Sequence, residues 1–212
     1  MQALTVGPLA TNCYLLWAPE TREALVVDPG AEPENILMVV EHLGLRVTRI
    51  VNTHGHADHI GANAALKRRT QARLLIHAAD APLLLDPEAN LSLDAGWPIV
   101  SPGADETLHA GQTLLLGKTP LAVLGTPGHS PGSICLWGNG CLFSGDTLFA
   151  GSVGRTDLRG GDTRALFESL RTRILPLPPE TRVYPGHGPV SDLATELRDN
   201  PFLAEGGPYG GA

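Results

Sequence analysis

NTHGHADHIG, positions 52–61, sets three of the chain's eight histidines and an aspartate within the six residues from His54 to His59. A solvated loop needs no such density of nitrogen and oxygen donors. Unpaired donors are costly to bury together, and a ligand that they share removes the cost. Just before the stretch, RVTRIVNTH reads as a strand that ends where the histidines begin. Just after it, DHIGANAALKRR has the composition of a helix, with Asp58 placed to cap it. The donors thus belong to a strand-to-helix junction, where side chains enter a crevice from a rigid support.

Working outward, NCYLLWA and ALVVDPG read as antiparallel strands joined by the APETRE loop and stopped at Pro29-Gly30. PENILMVVEHLG places Ile36, Leu37, Val40 and Leu43 on one helical face, with Gly44 at the stop and His42 in the last turn. RLLIH at 73–77 reads as a strand and AADAPLLLD as a short helix, whereas 86–104 is too rich in Pro, Gly, Asp and Asn to assign. Strand grammar resumes in ETLHAGQTLLLG, TPLAVLGTPG and GSICLWGNGCLFSGD, the last folding back at Asn139-Gly140. GDTRALFESLRTRIL supplies a helix capped by Asp162, and TRVYPGHGP a short strand ending in His187. Two strand-rich halves with helices outside imply an α/β chain, a four-layer αββα sandwich of two mixed sheets face to face. Residues 1–200 would form a single domain, and the glycine-rich tail at 201–212 would fray.

With 212 residues, 42% of them hydrophobic and 17% charged, the chain is able to bury one sizeable core. A net charge of -7, with KRRTQAR at 67–73 as the wet face of a helix, argues against nucleic acid as a partner. The start, MQALTVGPLATNCYLLW, lacks a leader's basic-then-apolar pattern, and no apolar run is long enough to span a membrane. These features suggest a soluble, cytoplasmic protein with no membrane partner. Cys13, Cys135 and Cys141 form no C-x-x-C pair; a Cys135–Cys141 bridge across the WGNG turn is conceivable, but reduced thiols suit such a chain better.

Neighbouring side chains diverge, so four donors in one short run are easier to place around two metal ions than around one. The remaining ligands must come from afar. His129, Asp146 and His187 each follow a strand, after LAVLGTPG, CLFSG and RVYPG. Setting His54, His56 and His129 around one divalent ion and Asp58, His59 and His187 around the other leaves Asp146 as a bridge. Two carboxylates, two dications and a bridging hydroxide leave a small positive charge, which lowers the pKa of bound water. Zinc suits this donor set, and iron or manganese is compatible with it. His77 and His109 belong to no dense group and read as polar contacts beside strands. Asp28, in VVDPG, reads as a turn aspartate able to hydrogen-bond a ligating histidine, while Tyr184 has at most an outer role.

With THGHADH at 53–59, GHS at 128–130, SGDTLF at 144–149 and PGHG at 185–188, in that order over nearly the whole chain, the sequence resembles the metallo-beta-lactamase superfamily. The resemblance implies the same ligand sets, with Asp146 as the bridge. GTPGHSPGS at 125–133, SGDTLFAGSVGR at 144–155 and the NCYLL start look like the glyoxalase II group, which hydrolyses glutathione thioesters such as S-lactoylglutathione. Full-length members of that group carry a further helical domain with glutathione-binding residues. Only a few residues follow PGHGP here, so the likeness is to the short glyoxalase II-like hydrolases, with no separate glutathione-binding domain. The implied chemistry is attack by a bridging hydroxide on a metal-polarised thioester carbonyl, with Asp58 steering the nucleophile's proton; Arg155 would either orient a carboxylate or a substrate anion or serve a purely structural role. Three readings compete. A persulfide dioxygenase would hold a single iron with His54, His129 and Asp146; a lactone or beta-lactam hydrolase would use the same hydroxide; and a non-enzymatic zinc module would use the metal only to staple the fold. The last is disfavoured because the ligand set has no thiolate and leaves room for water.

Overall fold

The computed structural model describes residues 1–203. Its first sheet runs in chain order: β1 (Gln2–Val6), β2 (Thr11–Trp17), β3 (Glu23–Val27), β4 (Arg46–Val51), β5 (Arg73–His77) and β6 (Glu106–Leu108). The β1–β2 and β2–β3 pairs are antiparallel, and the three that follow are parallel. Parallel neighbours need crossovers. Helix α1 (Pro33–His42) supplies the first, and α2 (Ala57–Ile60) with α3 (Asn63–Thr70) supplies the second.

The second sheet contains β7 (Thr113–Leu116), β8 (Thr119–Gly125), β9 (Ile134–Gly138) and β10 (Cys141–Gly145). After a two-stranded ribbon, β11 (Leu148–Phe149) with β12 (Ser152–Val153), helix α4 (Thr163–Ser169) leads back to β13 (Arg182–Pro185), parallel to β10. β14 (Ser191–Asp192) and α5 (Leu193–Asp199) follow, and the sheet order is β14-β13-β10-β9-β8-β7.

Three apolar layers hold four structural ones together. Cys13, Leu15 and Val26 point from the first sheet toward Ile36 and Leu66 on α1 and α3. Their sequence neighbours Tyr14, Leu16, Leu25 and Val27 point the other way, onto Val123, Leu136 and Phe143 of the second sheet. Leu142 and Val183 then meet Leu166 and Leu193 on α4 and α5. Strands covered on both faces read as continuous apolar runs, as ALVV and CYLL do. The architecture is the four-layer αββα sandwich.

The β9–β10 hairpin turns on Asn139 and Gly140, both at positive φ (49° and 71°), as a two-residue turn of matching twist requires. Asp162 caps α4 by accepting from Ala165 N at 2.9 Å, although that helix continues as a π turn over Leu170–Ile174. Cys135 lies against the outer layer and Cys141 against the inter-sheet layer, on opposite faces of the sheet, and all three cysteines are free thiols. Two expectations need correction. The helix after β4 is broken into α2 and α3, and Asp58 lies inside α2 instead of capping it; the capping position is His56, which makes no side-chain cap bond. The break falls at Gly61, where a Cβ would stand 2.3 Å from the Gly30 carbonyl oxygen, so the 28–31 turn presses directly on this helix. Residues 201–203 form a turn with Leu203 on the outer core, and the rest of the glycine-rich tail lies outside the described residues. Among the described residues no helix is long and apolar enough to cross a membrane.

Candidate metal centre

Each candidate donor follows the C-terminal end of a strand. His54, His56, Asp58 and His59 come after β4, His129 after β8, Asp146 after β10 and His187 after β13. The two sheets lean together at this edge, so residues far apart in sequence converge. Potential ligand atoms gather into His54/His56/His129, His54/His59/Asp146 and Asp58/His59/His187, each group with its atoms within 4.8 Å of one another. All seven residues proposed from the sequence are brought together.

The hydrogen bonds of the histidines fix where their lone pairs point. His129 Nδ1 donates to the Arg155 carbonyl at 2.8 Å, and His187 Nδ1 to the Leu9 carbonyl at 3.0 Å; a carbonyl only accepts, so it is Nε2 of each ring that faces inward, free to hold a cation when the ring is neutral. His59 Nδ1 faces Asp28 Oδ2 at 3.1 Å, which leaves His59 Nε2 just 3.2 Å from His187 Nε2. Two ring nitrogens this close, beside carboxylates, share a positive charge, a proton or a metal cation. Asp58 Oδ2 stands 3.1 Å from His187 Nε2 and 3.4 Å from His59 Nε2, while Asp146 reaches His59 through Oδ1 (3.4 Å) and His129 through Oδ2 (3.5 Å). His54 Nε2, His56 Nε2 and Asp146 Oδ1 are buried with no hydrogen-bond partner, a rare condition for polar atoms.

Titration behaviour divides the site in two. Burial, reinforced by neighbouring imidazoles, pushes His54 well below the ordinary histidine range and His56 down to about 3. These rings stay neutral, as ligands must. Burial also opposes a charge on His59, but the Asp58, Asp146 and Asp28 carboxylates outweigh it and hold this imidazole well above its usual value. His187 is raised too: burial is overcome by its hydrogen bond with Asp58 and the charge of Asp146. Asp58 is held far below the carboxylate range, because His59 and His187 more than offset its desolvation. This half of the site attracts positive charge, whether a proton or a metal cation.

Two buried carboxylates behind the donors set their positions. Asp28 accepts from Thr53 N (2.7 Å) and Thr53 Oγ1 (2.6 Å) as well as facing His59, so it orients a candidate ligand and is more than a turn residue. Asp80, 0% exposed, accepts from Gly55 N at 2.9 Å, Ser130 Oγ at 2.6 Å and Gly132 N at 2.6 Å. It ties the loop bearing His54 and His56 to the loop bearing His129. The sequence reading missed Asp80, whose partners lie 25 to 52 residues away. It also missed Asn12, whose backbone N–H donates to Gly186 O (2.7 Å) and whose Nδ2 donates to Pro185 O (3.0 Å) and Gly188 O (2.9 Å), pinning the loop of His187. At Gly186 a Cβ would stand 2.2 Å from Asp146 Oδ1, so only glycine lets this loop close on the site.

The donors open into a cleft of about 720 Å³. The 86–101 segment forms one wall: the Asn90 carbonyl accepts from Ala57 N at 2.9 Å, and Leu91, Trp97 and Ile99 face inward. Arg155 lines the cleft, but its guanidinium forms a two-pronged ion pair with Asp157 (2.7 Å each), and its tie to the donors is its carbonyl on His129. Tyr184 is not brought to the site; it stacks on Phe143, with ring centroids 5.2 Å apart, beside the inter-sheet core. His77 and His109 meet each other edge to face away from the seven donors.

A profile of the metallo-beta-lactamase superfamily matches residues 6–187. The hydroxyacylglutathione hydrolase GloC of Haemophilus influenzae is 32% identical over 207 residues, 96% of this chain and 97% of its own. The crystal structure of the BLEG-1 B3 metallo-beta-lactamase superposes with a TM-score of 0.92 at 39% identity, covering 96% of this chain and 99% of that one. The structure of TTHA1623 in a di-iron-bound form gives 0.86 at 43% identity, covering 96% and 100%.

Proposed function

The chain belongs to the metallo-beta-lactamase superfamily, and from that premise we propose that it is a binuclear metal-dependent hydrolase that cleaves thioesters of the S-lactoylglutathione kind. The observation that carries this reading is the convergence of His59 Nε2 and His187 Nε2, 3.2 Å apart beside Asp58, next to the separate His54/His56/His129 group. A donor set of imidazoles and carboxylates with no thiolate, open to a cleft, fits reactive metal ions better than a structural zinc. One group would be held by His54, His56 and His129 and the other by Asp58, His59 and His187, with Asp146 between them. Zinc suits these ligands, and the di-iron form of TTHA1623 makes iron an equal candidate, with manganese compatible.

When bound, two divalent cations supply a nucleophile from water at neutral pH and Lewis-acid polarisation of a carbonyl. The chain's own groups do the rest. The Arg155 and Leu9 carbonyls accept from Nδ1 of His129 and His187 and so hold those rings, and the Asp28 carboxylate stands 3.1 Å from His59 Nδ1 as its counter-charge. Asp58, whose Oδ2 accepts from Thr11 Oγ1 at 3.2 Å, is the carboxylate placed to orient the nucleophile's proton as water adds to the acyl carbon. The C–S bond then breaks to give a carboxylic acid and a thiol. A thiolate leaves readily, so the site needs no dedicated acid on the leaving-group side. The likeness to GloC supports a hydroxyacylglutathione as substrate.

Beta-lactam hydrolysis is a second reading, supported by the likeness to BLEG-1. A mononuclear iron dioxygenase would leave the Asp58/His59/His187 group without a purpose. The test is turnover of S-lactoylglutathione and of a cephalosporin by metal-loaded protein, before and after chelation. Thioester hydrolysis that is lost with the metal supports the proposal; cephalosporin turnover alone replaces it with the second reading.

A further inference from the structure

We propose that, among thioesters, the cleft favours those with an apolar group seated against the Pro8, Leu9, Leu91, Trp97, Phe149 and Val153 wall, and that it accepts a glutathione thioester such as S-lactoylglutathione without a charged anchor for the glutathione moiety. The inference rests on the hydrolase reading and names the class of substrate. Those six side chains line the cleft above the donors. Leu9 and Trp97 remain 58% and 52% exposed at its mouth, an apolar surface that a soluble protein retains chiefly where something binds. Glutathione brings two carboxylates and an ammonium group, and a carboxylate taken from water needs a cation or several donors in return. Among the described residues, Arg155 is the one Lys or Arg side chain lining the cleft, and its Nε and Nη2 already face the Asp157 carboxylate, with which an incoming carboxylate would have to compete. Arg159, next to the lining residue Leu158, is likewise held by Glu88 at 2.6 Å. Residues 204–212 contain no Lys or Arg. With a net charge of -7, the protein as a whole does not attract anions either.

The test uses thioethers, which bind without being hydrolysed. S-hexyl-N-acetylcysteamine, S-hexylglutathione and S-methylglutathione are titrated calorimetrically into metal-loaded protein. The two hexyl probes are expected to bind within about threefold of each other, and shortening hexyl to methyl to weaken binding by at least about 30-fold, since each buried methylene contributes about threefold to fourfold. Trp97→Ser, or Leu9→Ser as a second exposed site, should weaken both hexyl probes equally, and Arg155→Ala should leave the ratio between the two hexyl probes unchanged, whatever it does to both. S-methylglutathione binding as tightly as S-hexylglutathione, loss of S-hexylglutathione binding but not of the N-acetylcysteamine probe in Arg155→Ala, or no binding of either hexyl probe would overturn the inference. Hydrolysis of S-hexanoyl-N-acetylcysteamine and S-lactoylglutathione is measured alongside. The expected probe order without turnover of either thioester would uphold the apolar seat while removing the hydrolase reading on which its role in selecting a thioester rests.

Discussion

Replacing Asp80 by asparagine should loosen the first histidine group without touching a ligand. The native carboxylate accepts two donors on Oδ2, Gly55 N and Ser130 Oγ, and one on Oδ1, Gly132 N. An amide of the same shape has one acceptor oxygen and one NH2. With the oxygen in the Oδ2 position, the NH2 meets the Gly132 N–H; flipped, it meets the Gly55 N–H. Either way one buried backbone donor faces another donor, costing about 1–3 kcal/mol, and the surviving bonds lose their charge assistance, worth about 1 kcal/mol more. Urea unfolding of the metal-free variant should therefore show a loss of about 2–4 kcal/mol. Gly55 lies between His54 and His56, and Ser130 follows His129, so the same change should weaken metal affinity by about 10–100-fold in competition with a chromogenic chelator. Asp94→Asn, at an exposed position of the 86–101 segment, serves as a control and should stay within about 0.5 kcal/mol of the parent. A loss below about 1 kcal/mol together with parental metal affinity would refute the claim that Asp80 holds the two loops in place.

Gly186→Ala places a methyl group 2.2 Å from Asp146 Oδ1 and 2.8 Å from His59 Cε1, on a backbone pinned at both its N–H and its carbonyl. Metal content should fall and kcat/KM drop by about 100-fold or more, as read by elemental analysis and thioester assay. Acidification should release metal in two stages. His59 and His187 have raised pKa values, so protons compete for their Nε2 atoms from above the ordinary histidine range downward, whereas His56, lowered to about 3, resists protonation until strongly acid pH. Dialysis across pH 8 to 5 should show the Asp58/His59/His187 ion leaving first, and a single simultaneous release would contradict the assignment. In the folded protein iodoacetamide should label the half-buried Cys141 and spare Cys13 and Cys135, both fully buried, the latter with its thiol pushed up to about 11; peptide mass mapping reads the result.

The convergence of the seven candidate donors was legible because rare residue types are concentrated at strand ends, the pattern a metal site would need. Positions of His129, Asp146 and His187 after LAVLG, CLFSG and RVYP carried the same signal. What escaped was non-local. Asp80 sits in AADAPLLLD, where it looks like a helix cap, and nothing nearby announces bonds to Gly55 and Gly132. Asp58 has the composition of a cap, but its carboxylate is drawn to His187, His59 and Thr11 instead of the helix N–H groups, so tertiary electrostatics overrode a local preference. Strand β1 lacks a period-two burial pattern because it lies at a sheet edge, and its pairing with β2 is what makes it a strand. The 86–104 segment resisted assignment for a related reason. Its order depends on Asn90, which donates to the Leu83 and Ile99 carbonyls, and on the bond from Ala57 N, so the cleft wall bearing Trp97 arises from contacts rather than from propensity.

The central claim is that the seven donors hold two ions and that the ions serve hydrolysis. It is tested most directly by counting metal per chain, by inductively coupled plasma mass spectrometry, on protein purified without added metal and on its His187→Ala variant, with S-lactoylglutathione turnover measured on both. The account predicts two ions in the parent, about one in the variant, and turnover that falls with the second ion. One iron per chain in both, with oxygen uptake on a persulfide and no thioester hydrolysis, would contradict it.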